Sequence, residues 1–192
     1  VNVNSTLHWG QKYEPLSVNI YEHMYKTKIE DFGCIQHEKY LFLGASPDGI
    51  NVDKKSKRYG RMLEIKNIVN REINGIPKKE YWIQMQLQME VCDLDECDFV
   101  ETQIREYESA ESFYNDDGSD KEERGVLLLY MSQTEDRPIP KYEMMPLTLC
   151  TESADREHLQ DAIETWINQK MQDISKKGDY NFIPIYWYLE LY

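Results

Sequence analysis

The stretch from Ser46 to Lys66 constrains this chain more than any other. Ser46-Pro47-Asp48-Gly49 has the residues of a tight turn, with Pro at the second position and Gly at the fourth. Leu63-Glu64-Ile65-Lys66 follows after a short gap. Side chains alternate across a strand, so Leu63 and Ile65 point to one side and Glu64 and Lys66 to the other. A strand with two apolar residues on one face and an acid and a base on the other lies against a core with its charged face turned to solvent or to a cleft. The segment is therefore expected to be β-structure inside a domain that also contains helices.

The elements on either side support a mixed architecture. Trp9, Tyr13, Leu16, Ile20 and Met24 recur at three- and four-residue spacing, which predicts a helix from about Ser5 to Tyr25, kinked or begun at Pro15. Ile35 to Leu43 reads as a strand, Ile50-Asn51-Val52 starts a second, Asp53 to Lys57 is a polar hairpin loop, and Arg61 to Asn67 is a third strand. Lys79 to Val91 reads as a helix, Glu96 to Tyr107 as a strand, and Asn115 to Arg124 as an acidic loop. Val126 to Met131 is a short apolar run that suits a buried strand, and Lys141 to Met145 is a candidate to pair beside it. A last helix is predicted from about Ser153 to Ile174, with Leu159, Ile163, Trp166 and Ile167 on its buried side. The order implies an α/β fold of mixed α+β type, a central sheet flanked by helices, in one domain spanning 1–192.

Composition matters chiefly through charge. The 192 residues carry a net charge of −13, which by itself argues against a nucleic-acid partner. The distribution is uneven. Residues 54–79 hold nine basic side chains against Glu64 and Glu72, whereas residues 101–124 hold nine acidic ones against Arg105, Lys121 and Arg124. The basic segment surrounds the Glu64–Lys66 strand, and Lys54, Lys55 and Arg58 are its candidates for contact with a polyanion. No apolar run approaches the ~20 residues that span a bilayer, so no membrane association is expected. Cys34, Cys92, Cys97 and Cys150 form no Cys-x-x-Cys pair, which points away from zinc and toward reduced thiols in an intracellular compartment. The chain begins at Val1 and is expected to be a piece of something longer.

Phosphodiester hydrolysis needs a nucleophilic water and relief of charge on the phosphate, and a hard divalent cation held by oxygen ligands supplies both. Asp48 and Glu64 offer carboxylates and the backbone carbonyl of Ile65 a third oxygen. Glu64 and Lys66 share a strand face about 6.6 Å apart along the chain, close enough for the ammonium to orient or deprotonate a water or to steady charge on phosphorus. On a helical wheel Tyr81, Gln84 and Gln88 form a polar stripe between apolar flanks of Trp82, Met85 and Met89 and of Ile83, Leu87 and Val91. That pattern predicts a buried helix with one face turned to a cleft, where amides and a phenol bind water, carboxylates or phosphate oxygens. Glu14 lies off the apolar face of the first helix, where it is either a further metal or water ligand or a surface carboxylate, and spacing alone favours the surface.

In combination these motifs resemble the PD-(D/E)xK nucleases, in particular the lambda-exonuclease or YqaJ-type viral recombinase branch. The likeness rests on Gly10, Glu14, Pro15, Ser17 and Tyr21 in the first helix, on Ser46 to Gly49, on Glu64 and Lys66, and on Tyr81, Gln84 and Gln86, in that order over residues 9–90. The resemblance implies Glu14 and Gln84 as site residues beside Asp48, Glu64 and Lys66, with Ser46, Tyr81 and Gln86 near substrate. It also implies Mg²⁺ or Mn²⁺, ends of duplex DNA as substrate, 5′→3′ digestion in recombination and repair of viral or phage DNA, a single-strand annealing partner and a trimeric ring. Two features depart from the pattern. The chain is more acidic than a DNA-tracking enzyme, and little precedes Trp9 where the family holds the DNA end. An endonuclease with the same core, or a decayed nuclease fold serving as a binding module, are the alternatives.

Overall fold

A computed structural model describes residues 5–153 and 155–190. They gather into two compact units, 13–102 and 1–12 with 103–192. Helix α1 (Thr6–Tyr25) contributes residues to each and runs through Pro15.

The unit of residues 13–102 is built on a four-stranded sheet, β1 (Ile29–Glu30), β4 (Gly49–Asn51), β5 (Met62–Asn67) and β6 (Cys97–Thr102), in that spatial order. β1, β4 and β5 are antiparallel, whereas β5 and β6 are parallel and joined through helix α2 (Lys79–Cys92), the crossover that a parallel pair requires. The Leu63/Ile65 face of β5 is buried with Tyr21 and Ile29, and Val18 and Val100 pack against that cluster. The predicted alternation is therefore present. Asp98 ties helix to sheet: it accepts hydrogen bonds from Tyr21 Oη (2.5 Å), Arg58 Nη1 (2.5 Å) and Arg61 Nη1 (3.1 Å). Gly49 is needed for space, because a Cβ there would collide with the Ile29 side chain.

The predicted strand Ile35–Leu43 is corrected. Only Ile35–Gln36 (β2) and Gly44–Ala45 (β3) are extended, and they pair as a small ladder. His37 breaks the run: its Nδ1 accepts the main-chain N–H groups of Lys39 (2.9 Å) and Tyr40 (3.2 Å), folding the chain into a tight turn. The segment 46–48 is irregular with a bend at Asp48 rather than a regular turn. Helix α2 is also less buried than its pattern predicts. Met85, Gln88 and Val91 are buried, whereas Trp82, Ile83 and Leu87 are exposed.

The other unit holds an antiparallel sheet of order β7 (Ile104–Glu106), β10 (Tyr180–Glu190), β8 (Lys121–Ser132) and β9 (Lys141–Met144). Helices α3 (Ala110–Asn115), α4 (Thr148–Glu152) and α5 (Arg156–Ser175) complete it. Val126 and Leu128 of β8 form the core with Phe113, Leu159, Ile163 and Ile167. Glu96–Tyr107 is two strands divided at Gln103 rather than one. The acidic stretch is a loop over residues 116–120, shorter than predicted because α3 runs to Asn115 and β8 begins at Lys121. The last helix starts at Arg156, capped by Asp155, whose carboxylate accepts the His158 N–H. Strand β10 was not anticipated. It carries Pro184, which lacks an N–H, yet β7 pairs only with residues 187–189 of β10, so Pro184 faces a partner on the β8 side alone.

Candidate active site

Strand β5 carries the site. In a strand the N–H and C=O of one residue point to the same edge, and successive residues alternate. Met62 N–H bonds to Glu96 on the β6 side and Leu63 is paired with Gly49 on the β4 side, so the main-chain groups of Ile65 also face the β4 edge. The β4 ladder stops at Gly49. Beyond it the Asp48 carboxylate takes over, with Oδ2 accepting the Ile65 N–H at 2.6 Å. This bond brings Asp48 to the edge where the Ile65 carbonyl emerges.

Glu64 lies on the opposite side of the sheet from Leu63 and Ile65 and is 0% exposed. Its Oε1 accepts from the Lys66 ammonium, while Oε2 is buried with no hydrogen-bond partner. A carboxylate buried with one oxygen unpaired is costly unless a cation or donor completes it. The Lys66 ammonium also lies 5.0 Å from the centre of the Tyr81 ring, and Tyr81 in turn packs near Phe99 at 6.1 Å. Lys66 is thereby held between an acid and an aromatic face.

Electrostatics link three carboxyls. Burial, and then the negative charges of Glu64 and Glu14, push Asp48 up to about 7 against the hydrogen bond from Ile65 and the charge of Lys66, which lower it. Glu14 is raised by burial, by Asp31 and by Glu64. Elevation of Asp48 and Glu14 is expected where buried acids lie near other carboxylates and Lys66 offsets only part of the effect.

Among the described residues no group of three or more His, Cys, Asp or Glu side chains forms a metal cluster. The predicted set is smaller, two carboxylates and a main-chain carbonyl, and the unpaired Glu64 Oε2 and the raised Asp48 are oxygen donors of the kind a hard cation takes. Asp48 reaches β5 through its bond to the Ile65 N–H, Glu64 and Lys66 pair on that strand, and Glu14 is near enough to feel the charges of Glu64 and Lys66.

The remaining predicted residues are placed variously. Gln84 lines a cavity of about 340 Å³ with Ser46 and Gln88. Gln88 is the buried amide, 6% exposed, and its Nε2 donates to the Ser46 carbonyl at 3.3 Å, holding the segment that leads to Asp48. The helical wheel places Gln88 in the same polar stripe as Gln84, and only the family resemblance favours Gln84. Gln86 is exposed and lines a separate cavity with His37 and Glu90. Lys54 and Lys55 are exposed on the β4–β5 loop, whereas Arg58 is turned to Asp98 and stacks on Tyr25, 3.7 Å from the ring centre.

The raised Asp48 gives a prediction. Below about pH 4 this carboxyl is protonated in both folded and unfolded chains. As pH rises toward 7 the unfolded chain loses its proton first, so folding loses stability, and above 7 the penalty is constant. Asp48→Asn keeps an acceptor for the Ile65 N–H and removes the charge. In chelator at pH 8 it should be more stable than the parent by about 4 kcal/mol, and near pH 4 the gap should nearly close. Urea titrations at both pH values measure this, and an equal gap at both would refute it.

The model of the YqaJ-like viral recombinase domain matches residues 2–95, and over that segment the chain is similar to that family. A relative from Acanthamoeba polyphaga mimivirus, the uncharacterized protein R354, is 38% identical over 125 residues, covering 59% of this chain. The chain spans about a quarter of that relative's length, 23%. Among solved structures, the alkaline exonuclease LHK-Exo from Laribacter hongkongensis is 21% identical, covering 91% of this chain and 74% of its own, with a TM-score of 0.44. LHK-Exo in complex with dAMP is 22% identical with a TM-score of 0.42, over the same shares of the two chains.

Proposed function

We propose that this protein is a Mg²⁺- or Mn²⁺-dependent deoxyribonuclease that digests double-stranded DNA from its ends, 5′→3′, in recombination, repair or processing of viral DNA. The observation that carries the reading is Glu64, fully buried, bonded through one oxygen to Lys66 and unpaired at the other, beside an Asp48 pushed up to about 7. Asp48, Glu64 and the Ile65 carbonyl would hold the ion. When bound, such an ion neutralises phosphate charge and makes water a better nucleophile.

The chain's own groups do the rest. Lys66 sits where its ammonium can orient the attacking water and stabilise negative charge building on phosphorus. Glu64 and the Tyr81 ring restrict where that ammonium can be, which reduces the entropy lost on reaching the reactive arrangement. Gln88 steadies the Asp48 segment through the Ser46 carbonyl. Gln84 offers an amide to water or a phosphate oxygen. Lys54 and Lys55 supply exposed positive charge for the DNA backbone.

The test is digestion of linear and of covalently closed duplex in Mn²⁺. Linear DNA should be degraded and closed circles left intact. Equal attack on both would mean an endonuclease, and no cleavage of either would mean a binding module.

A further inference from the structure

A second feature lies at the turn His37–Leu43 and the end of α2. The turn is tightly bonded. His37 Nδ1 accepts two main-chain N–H groups, His37 N–H donates to the Leu43 carbonyl (3.0 Å), Leu43 N–H to the Tyr40 carbonyl (2.8 Å) and Gln36 Nε2 to the Leu41 carbonyl (2.7 Å). At its tip this rigid turn exposes three consecutive large apolar side chains, Tyr40, Leu41 (68%) and Phe42 (84%). A turn that spends this many hydrogen bonds to hold apolar groups in water is shaped for contact.

Next to the tip is a cavity of about 540 Å³, lined by Tyr40 and by Glu38, Glu90, Asp93 and Asp95 against a single base, Lys39. His37 forms part of its wall and is 7% exposed. Because Nδ1 accepts from two N–H groups, the ring proton sits on Nε2. That N–H has no hydrogen-bond partner, and Glu90 Oε1, 3.6 Å away, is too far to serve. The same tautomer argues against a transition metal on Nε2, since a ligating ring needs a proton on its other nitrogen and an acceptor for it. Four carboxylates repel the phosphates of nucleic acid.

We propose that the His37–Leu43 turn and this cavity form a docking surface for a basic segment of a partner protein that also carries apolar side chains. Lysines or arginines of the visitor meet Glu38, Glu90, Asp93 and Asp95; one of its carbonyls accepts the His37 Nε2–H; its apolar groups cover Tyr40, Leu41 and Phe42. None of these residues belongs to the β5 site, so the surface stands or falls independently of the nuclease reading.

The experiment is an NMR titration of the ¹⁵N-labelled chain with the capped peptide Leu-Lys-Leu-Arg-Lys-Leu, with the capped Leu-Glu-Leu-Asp-Glu-Leu as control. The basic peptide should move the Lys39, Glu90 and Asp93 amides saturably, with Kd below ~1 mM, and the acidic one should not. Asp93 has φ +53°, a conformation asparagine tolerates, so Glu90→Gln/Asp93→Asn removes charge without straining the helix end and should weaken binding by about fivefold. Leu41→Ser/Phe42→Ser, on an exposed tip, should weaken it by a similar factor. Absence of saturable shifts, binding by both variants as tight as the parent's, or the same shifts produced by duplex DNA would overturn the proposal. DNA cleavage by the two variants should equal that of the parent, which separates this surface from the β5 site.

Discussion

Lys66→Ala is expected to lower cleavage of linear duplex by about a thousandfold while leaving Mn²⁺ affinity within about twofold of the parent. The size follows from what the ammonium does. It is the cation of β5 nearest the reacting phosphate in the proposed arrangement, and removing one well-placed donor to developing negative charge costs about two to three orders of magnitude in other hydrolases. Its removal also strips Glu64 Oε1 of its partner. A carboxylate buried with both oxygens unpaired would then depend still more on a bound ion, which is why affinity should hold. Single-turnover digestion at saturating Mn²⁺, with calorimetric titration of the ion in parallel, separates the two quantities. Unchanged cleavage would remove Lys66 from the chemistry.

Glu64→Gln is expected to weaken Mn²⁺ binding by about a hundredfold or more and to abolish cleavage. The substitution is nearly isosteric. An amide oxygen can still accept from Lys66, and an NH₂ group replaces the buried, unpaired Oε2. The fold should therefore survive, which circular dichroism and the melting temperature would show. A hard cation loses a charged ligand and meets a donor in its place, so binding should fail for a chemical reason rather than through unfolding. Retained Mn²⁺ affinity in a folded Glu64→Gln protein would place the ion elsewhere.

What could be read from the chain was local. Leu63-Glu64-Ile65-Lys66 announces its two faces by alternation alone, and the structure keeps them. Leu159, Ile163 and Ile167 announce the buried side of α5 by helical spacing, and Lys141–Met144 pairs beside β8. What could not be read depended on contacts between distant residues or on side chains competing with the ladder. The bond from Ile65 N–H to Asp48 spans 17 residues and replaces a strand that ends one residue too soon. Residues 35–43 look like a strand until the His37 ring captures two N–H groups that a ladder would have used. Strand β10 contains a proline, which ordinarily argues against a strand and is tolerated here because the neighbouring β7 is short. Trp82, Ile83 and Leu87 match a buried pattern yet lie in the open, because periodicity identifies an apolar face without saying what covers it.

The central claim is that Asp48, Glu64 and the Ile65 carbonyl share one divalent ion. Anomalous diffraction from crystals soaked in Mn²⁺ tests it directly. A single peak is predicted within ~2.0–2.6 Å of an oxygen from each of the three residues, lost in Glu64→Gln crystals soaked in the same way. A peak elsewhere on the chain, or none at this position in crystals that hold Mn²⁺ at other sites, would contradict it.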